Sequence, residues 1–370
     1  SNYAATVSKG RLSQEAMDIR MSLITPTTDW DCIKDTDLVI EAVFEEMNIK
    51  KEVFKKIDDL AKDGAILASN TSTLDIDEIA SVTKRPGDVV GTHFFSPANV
   101  MRLLEIVRGI ETKIDVLATL MQLAKKIAKV GIIAGNCDGF IGNRMFHAYI
   151  TQAHLLVEEG ATPEQVDIAA ESWGWAMGPF AVNDLAGNDV GWRIRKGKGK
   201  DYYKGKKYAS TVADRLCELG RFGQKVGKGF YTYDPQTRKR QSDPEVTKII
   251  DDVRREKGIN PRAIDNDEIL SRLHGALVIE GTRILEEGHA LRSSDIDVCY
   301  ISGYGFPAHR GGPMWQADKI GIDKFAQQIA KHRNADVLTW PESQLMNTLA
   351  DSKEKIANFV PDTSNPSKRT

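Results

Sequence analysis

The chain has 370 residues, 41% hydrophobic and 28% charged, and sets 50 Lys and Arg against 52 Asp and Glu for a net charge of −2. That length predicts two or three domains with cores that need no staples, and the near-neutral balance leaves no global field to draw nucleic acid or an anionic membrane surface. Four scattered cysteines without a C-x-x-C pair exclude a disulfide scaffold, and no apolar run nears the roughly 18 residues of a membrane helix.

The start has no signal-peptide pattern, and the absence of an initial Met leads us to expect a piece of a larger protein. Asp37–Phe44 (DLVIEAVF) is a short apolar run that predicts a strand buried on both faces. Residues 48–61 carry Ile49, Val53, Phe54, Ile57 and Leu60 at helical spacing. A strand over 65–68, a helix over 75–82, strands over 89–95 and 101–107, a helix over 115–129 and a closing strand at 131–133 follow. This alternation predicts a largely parallel sheet with helices on both faces.

After residue 134 the chain turns helical. Met145, Phe146, Tyr149, Ile150, Ala153, Leu156 and Val157 share one helix face, and Thr162-Pro163-Glu164-Gln165 reads as a capped helix start. An internal repeat emerges. Arg144…LLVEEG160…Val166-Asp167 matches Arg272…ILEEG288…Ile296-Asp297, and Met177-Gly-Pro179…Gly187 matches Gly312-Pro313-Met314…Gly321. The linker 234–245 is polar with two prolines. The basic, Gly-rich run 193–207 reads as a solvated loop, and the polar tail 361–370 as disordered.

No G-x-G-x-x-G turn occurs in the chain, so a dinucleotide fold would have to lack its first βαβ turn here. Ser69-Asn-Thr-Ser-Thr73 follows a strand directly, which in a parallel sheet faces the ligand crevice; taken alone, a turn with Ser72 or Thr73 capping the next helix explains these residues more simply. His93 lies late in one strand and Glu105 in the next, and a carboxylate beside an imidazole fixes its tautomer and raises the basicity of its second nitrogen. Asp138–Arg144 (DGFIGNR) opens the first helix of the helical half and puts an amide, Asn143, at its start.

The segments ASNTST (68–73), HFFSPANVMRLLEIV (93–107), GFIGNRM (139–145), MGPF (177–180) and GKGFYTYD (227–234) together resemble the 3-hydroxyacyl-CoA dehydrogenase family, most closely the dehydrogenase part of peroxisomal and bacterial multifunctional β-oxidation enzymes. The resemblance covers residues of about 30–330. It implies an α/β fold: a truncated Rossmann-like NAD-binding domain (1–133), then two duplicated all-α domains (134–235 and 246–360) like the 6-phosphogluconate dehydrogenase C-terminal domain. It implies His93 as catalytic base, Glu105 as its partner acid, Ser72 and Asn143 on the substrate side, and cofactor contacts at Ala42, Glu45, Lys50 and Asn70, with no metal. Position 96 is Ser where the single-function enzymes carry Asn, as in the multifunctional ones.

The implied reaction is oxidation of L-3-hydroxyacyl-CoA to 3-ketoacyl-CoA with NAD, with an upstream enoyl-CoA hydratase/isomerase domain as partner. Aligning the repeats puts Ser271 over Asn143, so the second copy is expected to be structural and to replace a dimer partner, making the protein a monomer without nucleic-acid or membrane partners. A bacterial cytoplasm is the first expectation for its compartment and the peroxisome the alternative. A non-catalytic scaffold without a cofactor site is the competing reading, and a dehydrogenase of free hydroxy acids a third.

Overall fold

The computed structural model describes residues 2–199 and 207–362. Two short helices, α1 (Asn2–Ser8) and α2 (Gln14–Ser22), precede the sheet and bury no residue. The α/β region runs β1 (Leu38–Glu41), α3 (Met47–Leu60), β2 (Ile66–Ser69), α4 (Ile76–Ala80), β3 (Val89–Phe94), β4 (Leu103–Arg108), α5 (Ile114–Lys126) and β5 (Val130–Gly135). The five strands lie side by side in chain order. Three neighbouring pairs are parallel, but β3 and β4 run antiparallel. Only residues 95–102 separate them, fewer than the roughly dozen residues of a parallel crossover.

Strand alternation divides the sheet residues between two cores. Ile66, Ala68, Val90, Leu104 and Ile106 pack with Leu117, Leu120 and Ala124 of α5. Leu67, Val89, Leu103 and Val107 face the other way and join α3, α4 and the helical region in one continuous core. The expectation that 37–44 is a strand buried on both faces is corrected: the strand ends at Glu41, forms the sheet edge among the described residues, and leaves Ile40 41% exposed. Having one neighbour instead of two is the physical cause.

The helical region comprises α6 (Gly142–Glu159), α7 (Pro163–Trp173), α8 (Pro179–Ala186), α9 (Asn188–Lys198), α10 (Thr211–Glu218), a hairpin of β6 (Thr232–Tyr233) and β7 (Arg240–Gln241), and α11 (Pro244–Glu256). It continues with α12 (Asn266–Glu286), α13 (Ser293–Gly303), α14 (Pro313–Ile320), α15 (Ile322–Ala335) and α16 (Gln344–Ser352). The repeat is visible as geometry. Asp167 of α7 accepts the Phe180 and Ala181 N–H groups that open α8, and Asp297 of α13 accepts those of Met314 and Trp315 that open α14. A Cβ on Gly178 or Gly312 would lie 2.4 or 2.3 Å from the capping aspartate, which is why glycine precedes the proline in both copies.

Among the ion pairs that cross between the copies, two mirror each other. Arg144 of α6 grips Glu287 at 2.5 and 2.9 Å, and Arg272 of α12 grips Glu159 at 2.7 and 3.0 Å. Both are two-pronged contacts, the strongest geometry open to a guanidinium. They relate α6 and α12 by a pseudo-two-fold axis.

The run 193–207 is corrected in part: α9 extends through Lys198, with Arg195 paired to Asp214 and Lys198 to Asp138. Residues 200–206 of that run, and the tail from residue 363, lie outside the described residues. The polar linker is ordered at its start, where the Asp234 carboxylate accepts N–H groups from Gln236 and Thr237. Among the described residues no helix is long and apolar enough to cross a membrane.

Candidate active site

His93 and Glu105 are register partners across the antiparallel β3–β4 pair. Residues directly opposite share a face, here the one toward α6. His93 Nδ1 lies 2.7 Å from Glu105 Oε2, and both side chains are buried. The second carboxylate oxygen accepts the backbone N–H groups of Ile141 and Gly142, at 3.2 and 3.0 Å, where α6 begins. A carboxylate only accepts, so Nδ1 carries the proton and Nε2 is left with its lone pair. Phe95 and Phe140 flank the ring, with centroids 4.3 and 5.9 Å away.

Asn143 stands in the first turn of α6. Its Nδ2 donates to the Ser72 carbonyl at 3.4 Å, and its Oδ1 accepts from the Tyr304 hydroxyl at 2.8 Å. The Glu45 carboxylate holds the loop after β2: it accepts from the Ser72 N–H at 2.8 Å and from the Thr71 hydroxyl at 2.6 Å. Ser72 and Thr73 are not the cap of α4. That cap is Asp75, which accepts the N–H groups of Asp77 and Glu78, because a carboxylate directly before the helix reaches them with no intervening residue.

A second group gathers where β1 and β2 end. Lys50 is fully buried; its ammonium donates to both oxygens of Glu41, at 2.9 and 3.1 Å, and to the Asn70 carbonyl at 3.1 Å. Glu45 stands 3.6 Å from it, and Ser69 Oγ donates to Glu41 at 2.7 Å. The Asn70 side-chain oxygen accepts the Phe94 N–H at 3.2 Å. Ala42 and Glu45 are exposed at the rim. The eight expected site residues thus form two groups, His93–Glu105–Asn143–Ser72 and Ala42–Glu45–Lys50–Asn70, joined by the Glu45–Ser72 hydrogen bond. The Lys50 ammonium is enclosed by its partners.

Glu41 and Tyr304 were not foreseen. Glu41 had a signal, an acid at the end of an apolar strand. Tyr304 had none, being 161 residues from Asn143. Burial pushes the Cys137 thiol up to about 12 and Cys217 up to about 11, so neither supplies a thiolate near neutral pH. Among the described residues no group of His, Cys, Asp and Glu could hold a metal ion. An imidazole with one oriented basic nitrogen, beside an amide donor, is suited to moving a proton on and off a substrate oxygen.

Residues 1–137 match 3-hydroxyacyl-CoA dehydrogenase, NAD binding domain, and residues 139–233 match 3-hydroxyacyl-CoA dehydrogenase, C-terminal domain. The chain is 48% identical over 318 residues to the peroxisomal bifunctional enzyme of Cavia porcellus, covering 82% of this chain and 44% of that protein. It is 47% identical over 327 residues to the human peroxisomal bifunctional enzyme, covering 85% of this chain and 45% of that one. It therefore spans less than half the length of these relatives. The crystal structure of the dehydrogenase part of multifunctional enzyme 1 from C. elegans superposes with a TM-score of 0.65 at 33% identity, over 94% of this chain and 79% of that one. Two successive domain matches, and a likeness to a solved dehydrogenase part along nearly the whole length, place the chain in the 3-hydroxyacyl-CoA dehydrogenase family.

Proposed function

We propose that this chain is the dehydrogenase part of a multifunctional fatty acid β-oxidation enzyme, oxidising L-3-hydroxyacyl-CoA to 3-ketoacyl-CoA with NAD. The observation that carries this is the buried His93–Glu105 pair at 2.7 Å, with Asn143 on the adjoining helix start. Neutral His93 takes the C3 hydroxyl proton at Nε2. Glu105 stabilises the imidazolium charge that develops and prevents the ring from turning. Asn143 donates to the reacting oxygen, and Ser72 lines the same side. In the reverse direction the imidazolium returns the proton to the oxygen. General-base assistance of this kind is typically worth ~10²–10⁴-fold.

The donor set at the rim fits the nicotinamide end of the cofactor. Glu41, Glu45 and Lys50 sum to one negative charge beside Asn70, which suits a pyridinium cation flanked by polar groups. Ala42, Glu45 and Asn70 would hold that end, with Lys50 setting the carboxylates. No G-x-G-x-x-G turn in this chain matches the diphosphate. When bound, NAD supplies the acceptor for the C3 hydride.

We read the chain as units 1–133, 134–235 and 246–360, with an enoyl-CoA hydratase/isomerase domain upstream in the parent protein. The second helical copy takes the place of a dimer partner, so light scattering is expected to report a monomer. The named relatives favour the peroxisome over a bacterial cytoplasm. The test is loss of NADH absorbance with acetoacetyl-CoA, on this chain and on a form extended before Ser1. Turnover in either supports the reading; none in both would replace it with a scaffold role.

A further inference from the structure

The second helical copy reaches into the site. We propose that Tyr304, at the end of α13, is a positioning residue for the reaction: its hydroxyl holds Asn143 Oδ1 and thereby presents Nδ2 to the substrate oxygen. This rests on the dehydrogenase reading above. A free Asn amide can turn over and exchange its oxygen for its nitrogen. Here the Tyr304 hydroxyl donates to one end at 2.8 Å, while the Ser72 carbonyl can only accept from the other, at 3.4 Å. Turning the amide would set Oδ1 against a carbonyl oxygen, so one orientation wins.

The tyrosine is itself fixed. Its ring stacks on Tyr300 (4.9 Å, 20°) and meets Phe95 edge-on at 5.4 Å. A Cβ on Gly142 would lie 2.4 Å from the ring, so only glycine admits it. The same Gly142 donates its N–H to Glu105 and accepts from the Tyr300 hydroxyl at 3.2 Å. One turn of backbone therefore connects the carboxylate to both tyrosines. Burial raises the phenol above its usual range and keeps it a donor.

The pseudo-two-fold axis supplies an internal control. Arg144 and Glu287 have counterparts in Arg272 and Glu159, which make the same contact. The counterpart of Asn143 is Ser271, whose hydroxyl lies 2.9 Å from His332 Nε2. The counterpart of Tyr304 is Gly174, the residue that ends α7 as Tyr304 ends α13. Scaffold contacts are repeated at both ends of the axis, whereas the amide and the phenol occur together only at the end that faces His93.

Tyr304→Phe keeps the ring and removes one O–H. In the parent protein, kcat with acetoacetyl-CoA and NADH is expected to fall roughly 10- to 100-fold, below the loss on removing a direct donor, while KM and the melting temperature stay at wild-type values. In an Asn143→Ala background the same change should have no further effect. The Asn143 side-chain amide pair in a ¹⁵N–¹H spectrum, assigned by its absence in Asn143→Ala, should shift in Tyr304→Phe. Wild-type kcat in Tyr304→Phe, an equal loss in the Asn143→Ala background, or an unmoved amide resonance would overturn the proposal. If the wild-type protein shows no turnover, the dehydrogenase reading fails, and the amide resonance alone decides whether Tyr304 orients Asn143.

Discussion

Glu105→Gln tests the core of the mechanism because the substitution is isosteric and the structure dictates how it fails. Oε1 of Glu105 accepts two backbone N–H groups, from Ile141 and Gly142, whereas Oε2 meets one imidazole nitrogen. A glutamine must place its oxygen toward the two amides, since the reverse would oppose its NH₂ to two donors. Its NH₂ then donates to His93 Nδ1, the ring proton moves to Nε2, and the nitrogen that should accept the substrate proton becomes a donor. The expected loss is the general-base contribution, ~10²–10⁴-fold in kcat, or about 3–5 kcal/mol of barrier at 1.36 kcal/mol per decade. Every hydrogen bond at the site retains a partner, so the folding free energy should fall by only ~1–2 kcal/mol, the difference between charge-assisted and neutral bonds. Steady-state rates with acetoacetyl-CoA and NADH, paired with urea unfolding, measure both. A variant that keeps more than about a tenth of wild-type kcat would refute the tautomer argument, and one that does not fold would refute the claim that all partners remain satisfied.

Three further outcomes follow from the packing. Arg272→Met leaves Glu159 half-buried with the exposed Arg262 as its remaining cation, and should cost ~3 kcal/mol in urea unfolding, against ~0.5 for Arg262→Met; equal losses would discount burial as the cause. Asp75→Ala should cost ~1 kcal/mol and Thr73→Ala almost nothing, since Asp75 is the cap; the opposite ranking would restore the simpler reading of that loop. Burial, aided by the distant Arg195 and Lys257 charges, pushes His154 down to about 3, between Phe180 and Phe230. The unfolded chain then takes up a proton below about 6.5 that the folded one refuses, so stability is complete above that pH and declines as pH falls toward 3. From pH 7.5 to 5 this group should remove ~2 kcal/mol. His154→Leu should flatten the unfolding free energy over that range by the same amount, and an unchanged slope would refute the assignment.

Much of this arrangement was readable in the residues. His93 and Glu105 could be paired because the segment between them is too short for a crossover, which leaves neighbouring antiparallel strands as its natural geometry. The duplicated helices were legible because Arg144, Glu159 and Asp167 recur with their glycines in order. The capping residue of α4 was a local matter, a carboxylate one position before the helix, whereas the other misreadings come from contacts distant in the chain. Nothing in DLVIEAVF distinguishes a central strand from an edge strand, because the difference lies in what sits beside it. The basic run beyond Arg193 looked like a loop until Asp214 and Asp138 supplied counter-charges that hold α9. Tyr304 carries no signal in the sequence, and only the folded chain brings its hydroxyl to Asn143.

The crossed arginine–glutamate grips join segments of a single polypeptide. A homodimer built on the same axis would carry every mutation twice and would come apart on dilution. A tandem arrangement does neither: its halves stay at the fixed effective concentration of a tether, and each can vary alone. That freedom lets a tyrosine stand at one end of the axis where a glycine stands at the other, and an asparagine where the other end has a serine.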